Sequence, residues 1–90
     1  MNEITEESNP VAPVHPVTIV VNHVKVDLPS PGTTGLAIKE AAIAQGVKNV
    51  TLDFDLFRIQ GDIQIKITDH EPVIVHASEE FLMLRPDHSS

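Results

Sequence analysis

Ninety residues, 41% of them hydrophobic and 21% charged, are enough for one small domain with an ordinary core. A formal net charge of −7 repels phosphate backbones and anionic lipid, which argues against nucleic acid or a membrane surface as partner. The absence of cysteine excludes a disulfide framework, a thiol nucleophile and a zinc ribbon, and no apolar run approaches the ~18 residues of a membrane span.

Residues 1–16 read as a flexible tail. The first seven are acidic and polar and do not resemble a secretory signal, so the cytoplasm is the expected compartment. Pro10, Pro13 and Pro16 recur every third residue, a spacing that favours extended polyproline-like chain and supplies few ladder donors. Such a leader is either simply solvated or a docking peptide for an aromatic groove.

Structure is expected from Val17. Residues 17–21 are a dense run of β-formers, and residues 25–28 are a second run with alternating character. Asn22 and His23 between them suit a tight turn, so the two strands should form an antiparallel hairpin. Pro29 and Pro31 stop the second strand. Thr33 or Thr34 can then cap a helix over residues 35–45, with Gly46 as its stop.

The helix can bury only one stripe against a single sheet. Ile38, Ala41 and Ala42 are assigned to the core, because small residues allow close approach to the strands. Leu36 and Ile43 are then partly exposed, flanked by Lys39 and Glu40. They are either two isolated surface aliphatics or a small interface for a partner or for a weak homo-oligomer. Edge strands such as residues 25–28 could extend that contact by backbone pairing.

A third strand is expected over residues 51–59, where Leu52, Phe54 and Leu56 alternate with Asp53 and Asp55. Phe57 breaks the alternation and marks either a bulge or a strand covered on both faces. Gln60-Gly61-Asp62 makes a turn. Ile63, Ile65 and Ile67 then alternate with Gln64 and Lys66 in a fourth strand, and residues 73–75 form a brief apolar segment. The last strand spans residues 81–85, with Leu82, Met83 and Leu84 as a buried run that Pro86 ends.

A hairpin, one crossing helix and a final strand lying centrally beside the first make an α+β fold of the ubiquitin-like β-grasp type. Its mixed sheet has four to five strands with the helix packed across one face. The domain is expected over residues 17–86, leaving residues 87–90 as an exposed tail. That tail could project roughly 13 to 14 Å if extended. It is either a frayed terminus or a handle for another protein.

No catalytic constellation is present. The five histidines are scattered, without the i, i+4 spacing of a helical metal site, so no metal and no cofactor are expected. Asp53 and Asp55 suit the solvated side of a strand better than an acid–base pair. Gly32 and Gly35 do not constitute a phosphate loop. The chain is not expected to be an enzyme.

Four segments carry a resemblance: Val17-Thr18-Ile19-Val20-Val21-Asn22, Thr34-Gly35-Leu36-Ala37-Ile38, Phe54-Asp55-Leu56-Phe57-Arg58, and Phe81 near the end. Over residues 16–86 the chain resembles the bacterial multiubiquitin family of ubiquitin-like proteins. Leu82-Met83-Leu84-Arg85 is also similar to the Leu-x-Leu-Arg end of ubiquitin's final strand. The resemblance implies a protein modifier encoded beside an activating enzyme, a conjugating-enzyme-like protein and a processing peptidase, in a bacterial ubiquitination-like pathway with a role in antiphage defence.

On that reading the activation and conjugation tail is Arg85 with Asp87, His88, Ser89 and Ser90. Arg85 would dock the lip of the activating enzyme and the last four residues would occupy its channel. The chain departs from ubiquitin in having no glycine after Gly61, hence no Gly-Gly end to thread a narrow cleft. Adenylation itself requires only a carboxylate. The other reading is a non-conjugated β-grasp adaptor or oligomeric scaffold that works through its sheet and helix surfaces.

Overall fold

The computed structural model describes residues 15–86. The expectations for the proline-spaced leader through residue 14, and for Asp87, His88, Ser89 and Ser90, lie outside the described residues. Seven strands and one helix follow in the order β1 (Val17–Val21), β2 (Val24–Leu28), β3 (Gly32–Thr34), α1 (Gly35–Ala44), β4 (Asp55–Gln60), β5 (Ile63–Ile67), β6 (Pro72–Ile74) and β7 (Glu80–Leu84). Five of the strands form one mixed sheet in the order β2-β1-β7-β4-β5, and β3 and β6 form a separate pair. This is a small α+β architecture with one helix packed on a five-stranded sheet, compatible with a β-grasp.

Two tight hairpins build the halves of the sheet. Asn22 and His23 join β1 to β2 at φ 49° and 69°, the pair of left-handed residues a type I′ turn requires. Gly61, at φ 60°, takes the first central position of the β4–β5 turn at no steric cost. Both turns twist with their strands, so each hairpin is in register along five residue pairs.

β7 joins the halves. It runs parallel to β1, with Val21 opposite Phe81, and antiparallel to β4, with Leu56 opposite Met83 and Phe57 opposite Leu82. Strand alternation sends Phe81 and Met83 toward the helix with Ile19, Val21, Val26 and Leu56, all buried. Leu82 and Leu84 therefore face the open side. The expectation of a wholly buried Leu82-Met83-Leu84 run is corrected: Met83 alone of the three is buried, and Leu84 is 40% exposed. A one-helix domain covers only one face of its sheet.

Thr34 caps α1, its Oγ1 accepting from the Ala37 N–H at 3.2 Å. Ile38 and Ala42 are fully buried and Ala41 packs against the core. Gly35 sits where the helix start meets the end of β5; a Cβ there would fall on the Thr68 carbonyl oxygen. The other end of the helix reaches β2, where Gln45 bonds Asp27. The helix thus crosses the sheet diagonally and leaves the Gly61 end of β5 uncovered.

The third strand begins later than its alternation suggests. Residues 51–54 form a turn, in which the Phe54 N–H donates to the Thr51 carbonyl at 3.0 Å. The Leu52 carbonyl is taken by the Lys39 ammonium at 3.1 Å. Phe57 marks no bulge: pairing runs unbroken along β4, and the ring lies half-buried on the open face opposite Leu82.

Candidate functional site: where the final strand leaves the sheet

β1 turns back at Val21, while β7 continues to Leu84, so the last residues of β7 have no β1 backbone beside them. The parallel ladder bonds Val20 N–H to the Glu79 carbonyl at 2.9 Å and Asn22 N–H to the Phe81 carbonyl at 3.1 Å. The Asn22 side chain then extends it. Its Oδ1 accepts from the Met83 N–H at 2.8 Å and its Nδ2 donates to the Met83 carbonyl at 3.2 Å. One carboxamide stands in for a further residue of strand beside Met83.

The base of β7 is anchored as firmly. Arg58, on the helix side of β4, lies with its guanidinium carbon 5.7 Å from the centroid of the Phe81 ring. Its Nε is 2.7 Å from Glu79 Oε2, an ion pair whose N–H is misaligned for a hydrogen bond, while Nη2 donates to Glu79 Oε1 at 3.3 Å and to the Ile74 carbonyl. Glu79 Oε1 also accepts from the His76 N–H at 3.0 Å. This half-buried pair ties β4 to the loop that feeds β7.

Beyond these two anchors the strand delivers Leu84 and Arg85 to the surface, both exposed, with Pro86 partly covered. Arg85 makes no ion pair among the described residues. On the open sheet face, the Phe57–Leu82 pair and Val20 form an apolar strip that leads to Leu84. Asp55, opposite Leu84, carries the edge of that strip and meets Lys66 at 3.6 Å.

The other sequence-derived candidates lie elsewhere. Leu36 is half-buried and Ile43 is 38% exposed, one near each end of α1, so both stay out of the core as expected. Their expected charged rim is corrected at Lys39. That residue is 5% exposed, with its ammonium 2.7 Å from Asp69 Oδ1. Lys39 serves as a strut from the helix to two loops. Asp53 falls in the 51–54 turn, so it does not share a strand face with Asp55. His15, His23, His70 and His76 are all exposed, and no group of three potential metal ligands occurs among the described residues.

Asn22, Arg58 and Glu79 organise the site without having been singled out as site residues in the sequence. Asn22 carried a signal as a turn former, but nothing near it in the chain points to Met83. No helix among the described residues is long and apolar enough to cross a membrane. Comparison with known proteins finds no matching family model, curated protein or solved structure.

Proposed function

We propose that the chain is a ubiquitin-like protein modifier of β-grasp fold, activated at a C-terminal carboxylate by a partner enzyme of a bacterial ubiquitination-like, antiphage pathway. The observation that supports this reading is the placement of β7. The last described strand is central, clamped by Asn22 at Met83 and anchored at Glu79, and it is followed directly by an exposed Arg85. A strand end held on both sides in this way offers Leu84 and Arg85 as a pre-organised docking surface for a partner enzyme. The resemblance of residues 16–86 to bacterial multiubiquitin proteins points the same way.

In the proposed reaction a carboxylate oxygen attacks the α-phosphate of ATP and pyrophosphate leaves, giving an acyl adenylate. The chain supplies the carboxylate and a docking surface, and the partner supplies the catalytic groups. A conjugating-enzyme-like protein and a processing peptidase complete the proposed set of partners, in the cytoplasm.

The deciding experiment mixes the protein with its cognate activating enzyme and ATP, then reads the mass of the products. The full chain should give an adenylate or covalent adduct, and a chain lacking residues 86–90 should give none. Unchanged adduct formation by the truncated chain removes the tail from the mechanism.

A second reading, a non-conjugated adaptor, is favoured by the apolar strip of Val20, Phe57, Leu82 and Leu84 on the open sheet face. It predicts that partner capture survives loss of residues 86–90 and is abolished by Leu82→Lys. Expression beside the neighbouring genes, with mass spectrometry of the chain's end and of anything attached to it, separates the two readings.

A further inference from the structure

The two edges of the five-stranded sheet are treated differently. At the β2 edge, Gln45 Oε1 accepts from the Asp27 N–H at 2.7 Å and Gln45 Nε2 donates to the Asp27 carbonyl at 2.8 Å. A side-chain amide occupies both outward backbone groups of Asp27, one of the two β2 residues, with Lys25, that face outward on that edge. At the β5 edge no described strand pairs on the outer side. The β4–β5 hairpin closes through a two-residue turn, with Gln60 opposite Ile63. A closing pair of this kind is hydrogen-bonded, and bonded pairs alternate with non-bonded ones. Ile63, Ile65 and Ile67 therefore bond inward to β4, while Gln64 and Lys66 direct their N–H and C=O groups outward.

The same strand carries unburied apolar surface. Ile63 is 61% exposed and Ile65 39%, although both side chains share the helix-side face with buried Ile67. The diagonal path of α1 accounts for this, since the helix begins over Thr68 and leads away from Gly61. An open strand edge with adjacent uncovered isoleucines is a template for strand addition.

We propose that β5 pairs antiparallel with β5 of a second copy of this chain, about a two-fold axis at Ile65. In that register Gln64 faces Lys66 of the second copy in the bonded positions. Ile65 faces its own counterpart across a non-bonded pair, where side chains approach most closely. All five strand residues are matched. Moving the axis to Lys66 sets two ammonium groups face to face, which costs stability. No carboxylate lies between Ile63 and Thr68, and Lys66 is already close to Asp55, so two copies of an acidic chain meet here without like-charge contact. A two-fold axis normal to the sheet keeps both helices on one side. The paired Ile63 and Ile65 side chains then fill the floor between them. This inference is independent of the modifier reading.

Sedimentation of the full chain over a concentration series, up to about 1 mM, tests the pairing. The expected result is a monomer–dimer equilibrium, with hydrogen exchange at the Gln64 and Lys66 amides slowing as dimer forms. Gln64→Pro removes an outward N–H without touching the β4 ladder, and Ile65→Lys places two ammonium groups at the axis. Each should weaken dimerisation at least about tenfold, and Ile65→Lys decides if the proline variant does not fold. Ile43→Lys should leave the dimer intact. A strict monomer overturns the proposal. So does a dimer that is indifferent to Ile65→Lys, or one that is lost with Ile43→Lys instead.

Discussion

Asn22 and Met83, 61 positions apart, are joined by two hydrogen bonds from a single carboxamide. The same asparagine supplies the left-handed conformation that starts the β1–β2 turn. One residue therefore sets both where the first strand turns back and how the last strand continues without it.

Replacing Asn22 separates these roles. Asn22→Gly keeps the turn conformation and removes the amide, leaving two part-buried backbone groups of Met83 without it. The expected loss is about 1–2 kcal/mol in chemical denaturation, with faster hydrogen exchange at Met83. Asn22→Ala should lose more, because alanine tolerates positive φ poorly.

Gly35→Ala should be among the most damaging single changes. The added methyl meets the Thr68 backbone carbonyl and lies 3.2 Å from Ile67 Cγ2. Backbone cannot yield as a flexible side chain does, so the start of the helix must lift from β5. A cost of about 2–3 kcal/mol is expected, read as a lower thermal midpoint with the helix signal largely retained.

Lys39→Met keeps the aliphatic stem and removes the ammonium that bonds Leu52 and Asp69. Asp69 is partly solvated, so the ion pair contributes less than a fully buried one. The expected cost is about 1–2 kcal/mol, accompanied by faster exchange at the Phe54 amide as the 51–54 turn loosens. Unchanged exchange at Phe54 would show that the turn holds without its strut.

Gln45→Ala uncovers the Asp27 backbone groups, so that Lys25 and Asp27 both present free outward groups and the β2 edge opens along its length like that of β5. A molecule with one open edge closes as a dimer, whereas one with two can add copies at both sides. Light scattering should then report species larger than a dimer, increasing with concentration. A distribution identical to that of the parent chain would show that Gln45 does not guard this edge.

Much of the architecture was legible because short-range signals agree with the tertiary outcome. Thr34 caps the helix where the sequence places it, and Asn22-His23 turns the first hairpin. The burial of Ile38 and Ala42 follows from helical spacing. The strand pattern of residues 51–59 misled at its start, because Leu52 and Phe54 alternate with aspartates while the backbone there is held in a turn by Lys39. β3 and β6 are three residues each, too short for periodicity to register. The details of the strand exit were not legible at all. The Asn22 clamp and the Arg58–Glu79 pair are tertiary contacts whose partners are distant in sequence, and composition carries no trace of them.

The central position of β7 also orders the events of folding. The β1–β2 and β4–β5 hairpins are each local and can form as soon as their own residues exist, but they share no direct pairing with one another. Among the described strands only β7 pairs with both, and its contact with β1 closes a loop of about sixty residues. During synthesis the two hairpins must wait, half-exposed, until the chain has been made through Leu84. A chain that stops short of β7 would hold two unjoined halves with bare inner edges, so the arrival of β7 is the step that commits this domain to its sheet.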